Sequence, residues 1–293
     1  MTSIIETISN TVLFLFLGNP PTSAGTGFVV GYPSKTKPDE VIPFVVTARH
    51  VIGENQRIFV RYSTTDPKKP GLAEYDVGAM RQAGDFFPHP DEGVDIAIFR
   101  IPAWSAAKLN FVPYDLVATK QVFEGEDIQP TDRIIFPSLL MNFIGTGRNY
   151  PVMRNGAIAL IPDERVPLKF KVGDREISTE QNVLLVNATS MPGASGSPVF
   201  LDPGPRIKAN QYNLGGTKTY LLGVMHGFYQ TAPRELTNVE TTGAKQMFQE
   251  NSGIAIVFPS WRIREIVESE PFQKRVKEID EQISKVGSPR PSP

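Results

Sequence analysis

Ser195 stands in the run PGASGSPVF, with Gly193 two residues before it and Gly196 directly after. A serine hydroxyl is a poor nucleophile at its own pKa. It attacks a carbonyl when a neighbouring base takes its proton and a third group holds that base. The chain has no cysteine, which removes thiolate nucleophiles, disulfides and cysteine-metal sites together. Its imidazoles are His50, His89 and His226, too few for a histidine-rich metal site, and neither a metal nor another cofactor is expected. His50 closes the run FVVTARH, where an apolar strand gives way to a turn. That is a rigid mount with an accessible ring edge. His89 lies in the proline-bounded loop FFPHPDEG, and His226 lies in LLGVMHGFY, inside or at the end of a strand. Asp95 opens the apolar run VDIAIFRI. A carboxylate there is partly buried and needs a hydrogen-bonding partner, which a histidine ring nitrogen would supply; the alternative is a turn cap. The stretch around Ser195 likewise has two readings. It is an ordinary glycine-serine turn, or a turn shaped so that its amides and its hydroxyl converge on one carbonyl.

The elements that must position these groups are short. Runs such as TGFVVGY, VIPFVVTA, QRIFVRY, DRIIFP, NVLLVNA and SGIAIVFP are rich in Val, Ile and Phe and are bounded by turn residues. This is the pattern of an all-β barrel or sandwich, and 26 prolines and 24 glycines fit its many turns. The runs divide into two sets, one ending with VDIAIFRI and the other beginning near DRIIFP, which suggests two β-barrel units. The boundaries read as residues 8–115, carrying His50 and Asp95, and residues 120–262, carrying Ser195. A helical segment covers 263–286 and a disordered tail covers 287–293. Spacings of three and four among Ile263, Ile266, Val267, Phe272, Val276, Ile279 and Ile283 predict one helix from about 260 and another over about 271–286, interrupted at Pro271. The stripe on the second helix is read as packing on the second barrel, with a regulatory protein partner as the alternative use.

Bulk properties narrow the class. A formal net charge of −1 in 293 residues argues against a nucleic-acid or membrane partner. The apolar run TVLFLFLG is too short for a membrane helix and lacks the basic leader of a signal peptide, so the cytoplasm is the expected location.

In their order along the chain, AGTGFVV, VVTARHVI, VDIAIFRI, PGASGSPVF and LLGVMHG resemble the trypsin-like serine proteases. GASGSPVF is similar to the serine segment of the bacterial glutamyl endopeptidases. The resemblance runs from about residue 10 to about 268. It implies two packed six-stranded antiparallel β-barrels with a C-terminal helix, and a serine endopeptidase acting on a polypeptide substrate through an acyl-enzyme. By position, Ser195 would be the nucleophile, His50 the base and later the acid, and Asp95 the group that orients His50. The amides of Gly193 and Ser195 would form the oxyanion hole, where losing one donor costs about 3–4 kcal/mol of transition-state stabilisation.

Departures from the family pattern are informative. Ala194 stands where digestive members carry an aspartate, so activation by an N-terminal ion pair is not expected, and no PDZ domain is expected after the protease segment. Thr189, Ser190, Met225, His226 and Gly227 are the expected substrate-binding residues. Related proteases show Gly-Ile-His on this strand; here Met225 adds a residue, a shift that turns a strand side chain to the opposite face. His226 is therefore read either as a wall of the primary specificity pocket or as a packing residue. The polar stretch 229–251 is read as a loop that gates the cleft or as a surface excursion. Two further functions stay open: a latent or inactive protease fold used as a binding module, and an esterase-like hydrolase, which would more often show Gly-x-Ser-x-Gly before a helix.

Overall fold

The computed structural model describes residues 4–18, 21–102, 107, 109–141, 143–208, 211–213, 218–230, 234–236, 246–248 and 251–285. The first unit contains α1 (Ile4–Ser9), β1 (Val12–Leu17), β2 (Thr22–Pro33), β3 (Val41–Thr47), α2 (Arg49–Ile52), β4 (Arg57–Tyr62), β5 (Gly71–Asp76), α3 (Val77–Gln82), β6 (Phe86–Pro88), β7 (Ala97–Arg100) and β8 (Val112–Pro113). The second contains α4 (Lys120–Gly125), β9 (Arg133–Ser138), β10 (Val152–Leu160), β11 (Val166–Val172), β12 (Arg175–Gln181), β13 (Leu184–Asn187) and β14 (Pro198–Leu201). It continues through β15 (Arg206–Lys208), β16 (Gln211–Asn213), β17 (Leu221–Gln230), β18 (Arg234–Leu236), β19 (Gln246–Phe248) and β20 (Asn251–Pro259). Two helices follow, α5 (Trp261–Val267) and α6 (Glu270–Lys285).

The second unit closes as a six-stranded barrel in the order β10-β13-β20-β17-β14-β9. The first does not match the expected closed six-stranded barrel. It is an eight-stranded sheet, a half-barrel, in the order β5-β4-β1-β2-β3-β7-β6 with β8 parallel to β2. The reason lies at its edges. β5 runs directly into α3, whose Val77 and Met80 are buried in the core of this sheet, so helix packing occupies the place of a closing ladder. β6 is three residues long and ends in Pro88, which has no N–H to donate.

Each unit has its own apolar interior. Leu13, Val45, Ile58 and Phe99 belong to the first, and Ile134, Phe136, Val186, Leu222 and Val257 to the second. A third cluster joins the outer faces of the two sheets, with Phe28, Phe44 and Val46 on one side and Phe200, Val224 and Phe258 on the other.

The C-terminal stripe packs elsewhere than expected. Phe272, Val276 and Ile279 of α6 are buried against the first unit, not the second barrel. The Phe272 ring lies 4.6 Å from Phe44 and 5.0 Å from Phe87. Asp280 fixes the helix by accepting from Ser34 Oγ at 2.6 Å and from the Lys35 amide at 3.0 Å. Arg275 donates twice to Asp85. Polar residues of the same helix thus complete a docking begun by its apolar face. Pro271 sits in the first turn of α6, where a missing N–H costs nothing. No described helix is long and apolar enough to cross a membrane. The 229–251 stretch lies largely outside the described residues, as does the tail 287–293.

Candidate active site

β3 and β7 pair antiparallel, with Thr47 opposite Ala97. The register brings the residues just past one strand against those just before the other. Arg49 and His50 therefore meet Asp95, which is fully buried. The Arg49 amide donates to the Asp95 carbonyl at 3.3 Å, and the His50 amide donates to Asp95 Oδ1 at 2.8 Å. The His50 ring then reaches Oδ2 through Nδ1 at 2.5 Å. Because an ionised carboxylate only accepts, this contact places the proton on Nδ1 and leaves Nε2 as the basic edge.

A second imidazole shares the same oxygen. His226 Nδ1 lies 2.5 Å from Asp95 Oδ2, and the two histidine rings meet edge to face with centroids 5.2 Å apart. Burial alone would raise the Asp95 pKa; the charges and hydrogen bonds of His50 and His226 outweigh it and hold the carboxyl well below the usual carboxylate range. For His50, burial disfavours the charged ring, but the charge and hydrogen bond of Asp95 prevail and raise its pKa above the ordinary histidine value.

The turn between β13 and β14 carries Ser195. Gly193 has φ +97° and Gly196 has φ +84°, both in the left-handed region that favours glycine. A Cβ at Gly196 would collide with the Thr26 carbonyl and the Thr47 hydroxyl. Gly196 donates its amide to Met225 O at 2.7 Å, which ties the turn to β17. The other tie crosses to the first unit. Thr26 on β2 donates its amide to Ser195 O at 2.9 Å and its hydroxyl to Gly193 O at 2.7 Å, while that hydroxyl accepts from the Leu139 amide at 2.9 Å. The Ala194 amide is taken by Met191 O. Among the described residues, the amides of Gly193 and Ser195 have no protein acceptor, as an oxyanion site requires. Ser195 Oγ itself donates to the His226 carbonyl at 2.8 Å, not to His50.

One cavity of about 330 Å³ is lined by His50, Ser195, Ser190, His226 and Gly227, together with Phe170, Lys171, Met191, Pro192 and Phe228. Of the expected substrate-binding residues, Ser190, His226 and Gly227 thus border it. Met225 does not, because its side chain is fully buried in the second barrel core. Thr189 is exposed and lies outside the lining. His226 reaches the cleft because the β17–β20 register slips between Met225 and Gly227, a bulge that re-aims the strand at this residue. Sequence reading missed β11, which contributes Phe170 and Lys171, as a wall of this cavity. His89 is remote from this chemistry: it is buried, with Nε2 on Glu265 at 2.9 Å.

His50, Asp95 and His226 are also the described cluster with a metal-like donor set, their ligand atoms lying within 4.8 Å of one another. Both nitrogens, however, touch the carboxylate oxygen at hydrogen-bonding distance, the geometry of protons held between donors and one acceptor. An ion with bonds of about 2.0–2.2 Å would have to stand between them.

No protein-family model and no curated protein matches the chain. Similar solved structures include the Rv3671c protease from M. tuberculosis in its active form, with TM-score 0.44, 15% identity, and coverage of 100% of this chain and 87% of that one. Its inactive form gives TM-score 0.45 and 16% identity, covering 91% of each chain. The HtrA-type protease AlgW with decapeptide gives TM-score 0.44 and 12% identity, covering 97% of this chain and 67% of that one.

Proposed function

We propose that the protein is a serine endopeptidase of the trypsin-like kind, with Ser195 as nucleophile, His50 as general base and acid, and Asp95 as the group that orients His50. The observation that carries this reading is the Asp95–His50 contact at 2.5 Å, facing the same small cavity as a serine on a glycine-shaped turn. In the reaction, a χ1 rotation carries the Ser195 hydroxyl from the His226 carbonyl towards His50 Nε2. The oxygen attacks the scissile carbonyl as its proton passes to the ring. The amides of Gly193 and Ser195 donate to the oxyanion, and His50 returns the proton to the leaving amine. Water, activated by the same ring, then hydrolyses the acyl-enzyme.

A polypeptide substrate fits the strand geometry. β17 pairs with β14 only as far as Val224, and Gly227 and Phe228 continue beyond it along the cavity. A substrate strand added at that edge would supply the missing partners. The motif similarity to glutamyl endopeptidases concerns the serine turn. It does not extend to His226, whose Nδ1 is spent on Asp95.

A latent state of the same enzyme is favoured by one observation, the Ser195 hydroxyl bound to a main-chain carbonyl in place of its base. A fluorophosphonate probe tests both. Wild type is expected to label at Ser195, and Ser195→Ala is expected not to. Labelling that persists in Ser195→Ala removes the assignment. An unlabelled wild type that becomes reactive towards peptide substrates only with an added partner establishes latency.

A further inference from the structure

Asp95 Oδ2 serves two rings, and the protease chemistry uses only one of them. The second ring is held deliberately. His226 lies edge to face against His50, Phe170 and Phe258, with centroids at 5.2, 5.1 and 5.7 Å. A purely apolar side chain would fill a slot with two aromatic walls equally well. It would leave the buried carboxylate with two donors instead of three, and a buried charge is tolerated only when its acceptor sites are filled. His226 also sits on the bulge of β17, so the main-chain kink that turns its ring towards Asp95 is the same one that brings its carbonyl to Ser195 Oγ.

We propose that His226 is a positioning residue of the active site: its Nδ1–H holds the Asp95 carboxylate in the orientation that His50 requires, while its carbonyl parks the resting Ser195 hydroxyl. This rests on the reading of His50, Asp95 and Ser195 as the catalytic groups. The charged and titratable neighbours are few. Asp95 and His50 face the ring from the first unit, with Arg49 beside Asp95. Lys169 and Lys171 of β11 line the adjoining cavity, and β20 contributes only Ile256 and Phe258.

Two variants separate positioning from packing. His226→Asn keeps an N–H donor; His226→Leu fills the slot without one. His226→Leu is expected to lose roughly 10- to 100-fold in kcat with KM unchanged, the scale of one charge-assisted hydrogen bond. His226→Asn should restore most of that loss. The acid limb of kcat/KM should move to higher pH in His226→Leu, because Asp95 with one donor fewer pulls harder on the His50 proton, and should return in His226→Asn. Equal behaviour of Asn and Leu, or a Leu variant with wild-type kcat and pH profile, overturns the proposal.

A second readout needs no turnover. In protein labelled at its histidines with nitrogen-15 and carrying Ser195→Ala, two strongly downfield ring N–H resonances are expected. One should vanish in His226→Asn and both should shift in Asp95→Asn. A single such resonance overturns the pairing even if the enzyme is active. Two resonances, beside a protein with Ser195 intact that neither labels with fluorophosphonate nor cleaves peptides with or without an added partner, would instead sink the protease reading and leave the pairing intact. These spectra also decide the matter should His226→Leu fail to fold.

Discussion

Replacing Thr26 by valine tests whether the first unit holds the reactive turn of the second. Thr26 is fully buried. Its hydroxyl donates to Gly193 O at 2.7 Å and accepts from the Leu139 amide at 2.9 Å. Valine keeps the shape of the side chain and removes both contacts. Two buried main-chain groups, the Gly193 carbonyl and the Leu139 amide, then lack partners. Each such group costs about 1–3 kcal/mol, so the variant should be less stable by about 2–6 kcal/mol. The remaining Thr26 amide bond to Ser195 O keeps the turn near its place. The oxyanion donor at Gly193 is therefore loosened, not deleted. Deleting one outright costs about 10²–10³ in kcat, so a loss of roughly 10- to 100-fold is expected. Urea unfolding gives the first quantity and peptide hydrolysis under saturating substrate gives the second. A variant within about 0.5 kcal/mol of wild type and with unchanged kcat would refute the claim that this threonine positions the turn.

The pH dependence follows from two shifts of opposite sign. His50 must be neutral to act as base, and its pKa is raised because Asp95 outweighs the effect of burial; the acid limb of kcat/KM should therefore lie above the ordinary histidine value of about 6.5, and a limb at or below it would contradict the pairing. For stability, the His50 contribution is fully present below its unfolded pKa and fades as pH rises through the folded one. The Asp95 contribution is present above the ordinary carboxylate range and is lost as pH falls towards its lowered value. Phe272→Ala removes a ring packed on Phe44 and Phe87 and should cost about 3–5 kcal/mol in chemical unfolding; a cost below about 1 kcal/mol would mean that α6 docks without it.

Much of this was legible from residue types alone. Strands of Val, Ile and Phe between turn residues read correctly as a mostly β chain, and of the two readings left open for the glycines around Ser195 the ordinary turn does not account for both lying in the left-handed region. What was not legible depends on partners distant in the chain. The periodicity of Phe272, Val276 and Ile279 shows that one face of a helix is buried, but the choice of the first unit is fixed by Asp280 meeting Ser34 and Lys35. Closure of the first sheet depends on what flanks β5 and β6, and α3 fills that gap. Thr26 looks like any threonine in a strand; its hydroxyl partners lie 113 and 167 residues away. The alternation rule left His226 open between two faces because a bulge adds one residue to β17 opposite β20, and a bulge has no signature in LLGVMHGFY.

These long-range contacts share a direction. Ser195 and Gly193 belong to the closed barrel and are held by Thr26 of the half-barrel. Asp95 belongs to the half-barrel and is held by His226 of the closed barrel. Arg61 on β4 reaches across to Ile144 O, Gly145 O and Asn149 Oδ1, all at 2.7–2.8 Å. Neither unit therefore contains the proposed site by itself: His50 and Asp95 come from one, Ser195 and Gly193 from the other, and the groups that hold each set sit on the opposite side of the seam. Alignment is then a property of the interface. The helix α6, which follows the closed barrel in sequence but packs on the half-barrel, ties the two units together away from His50, Asp95 and Ser195.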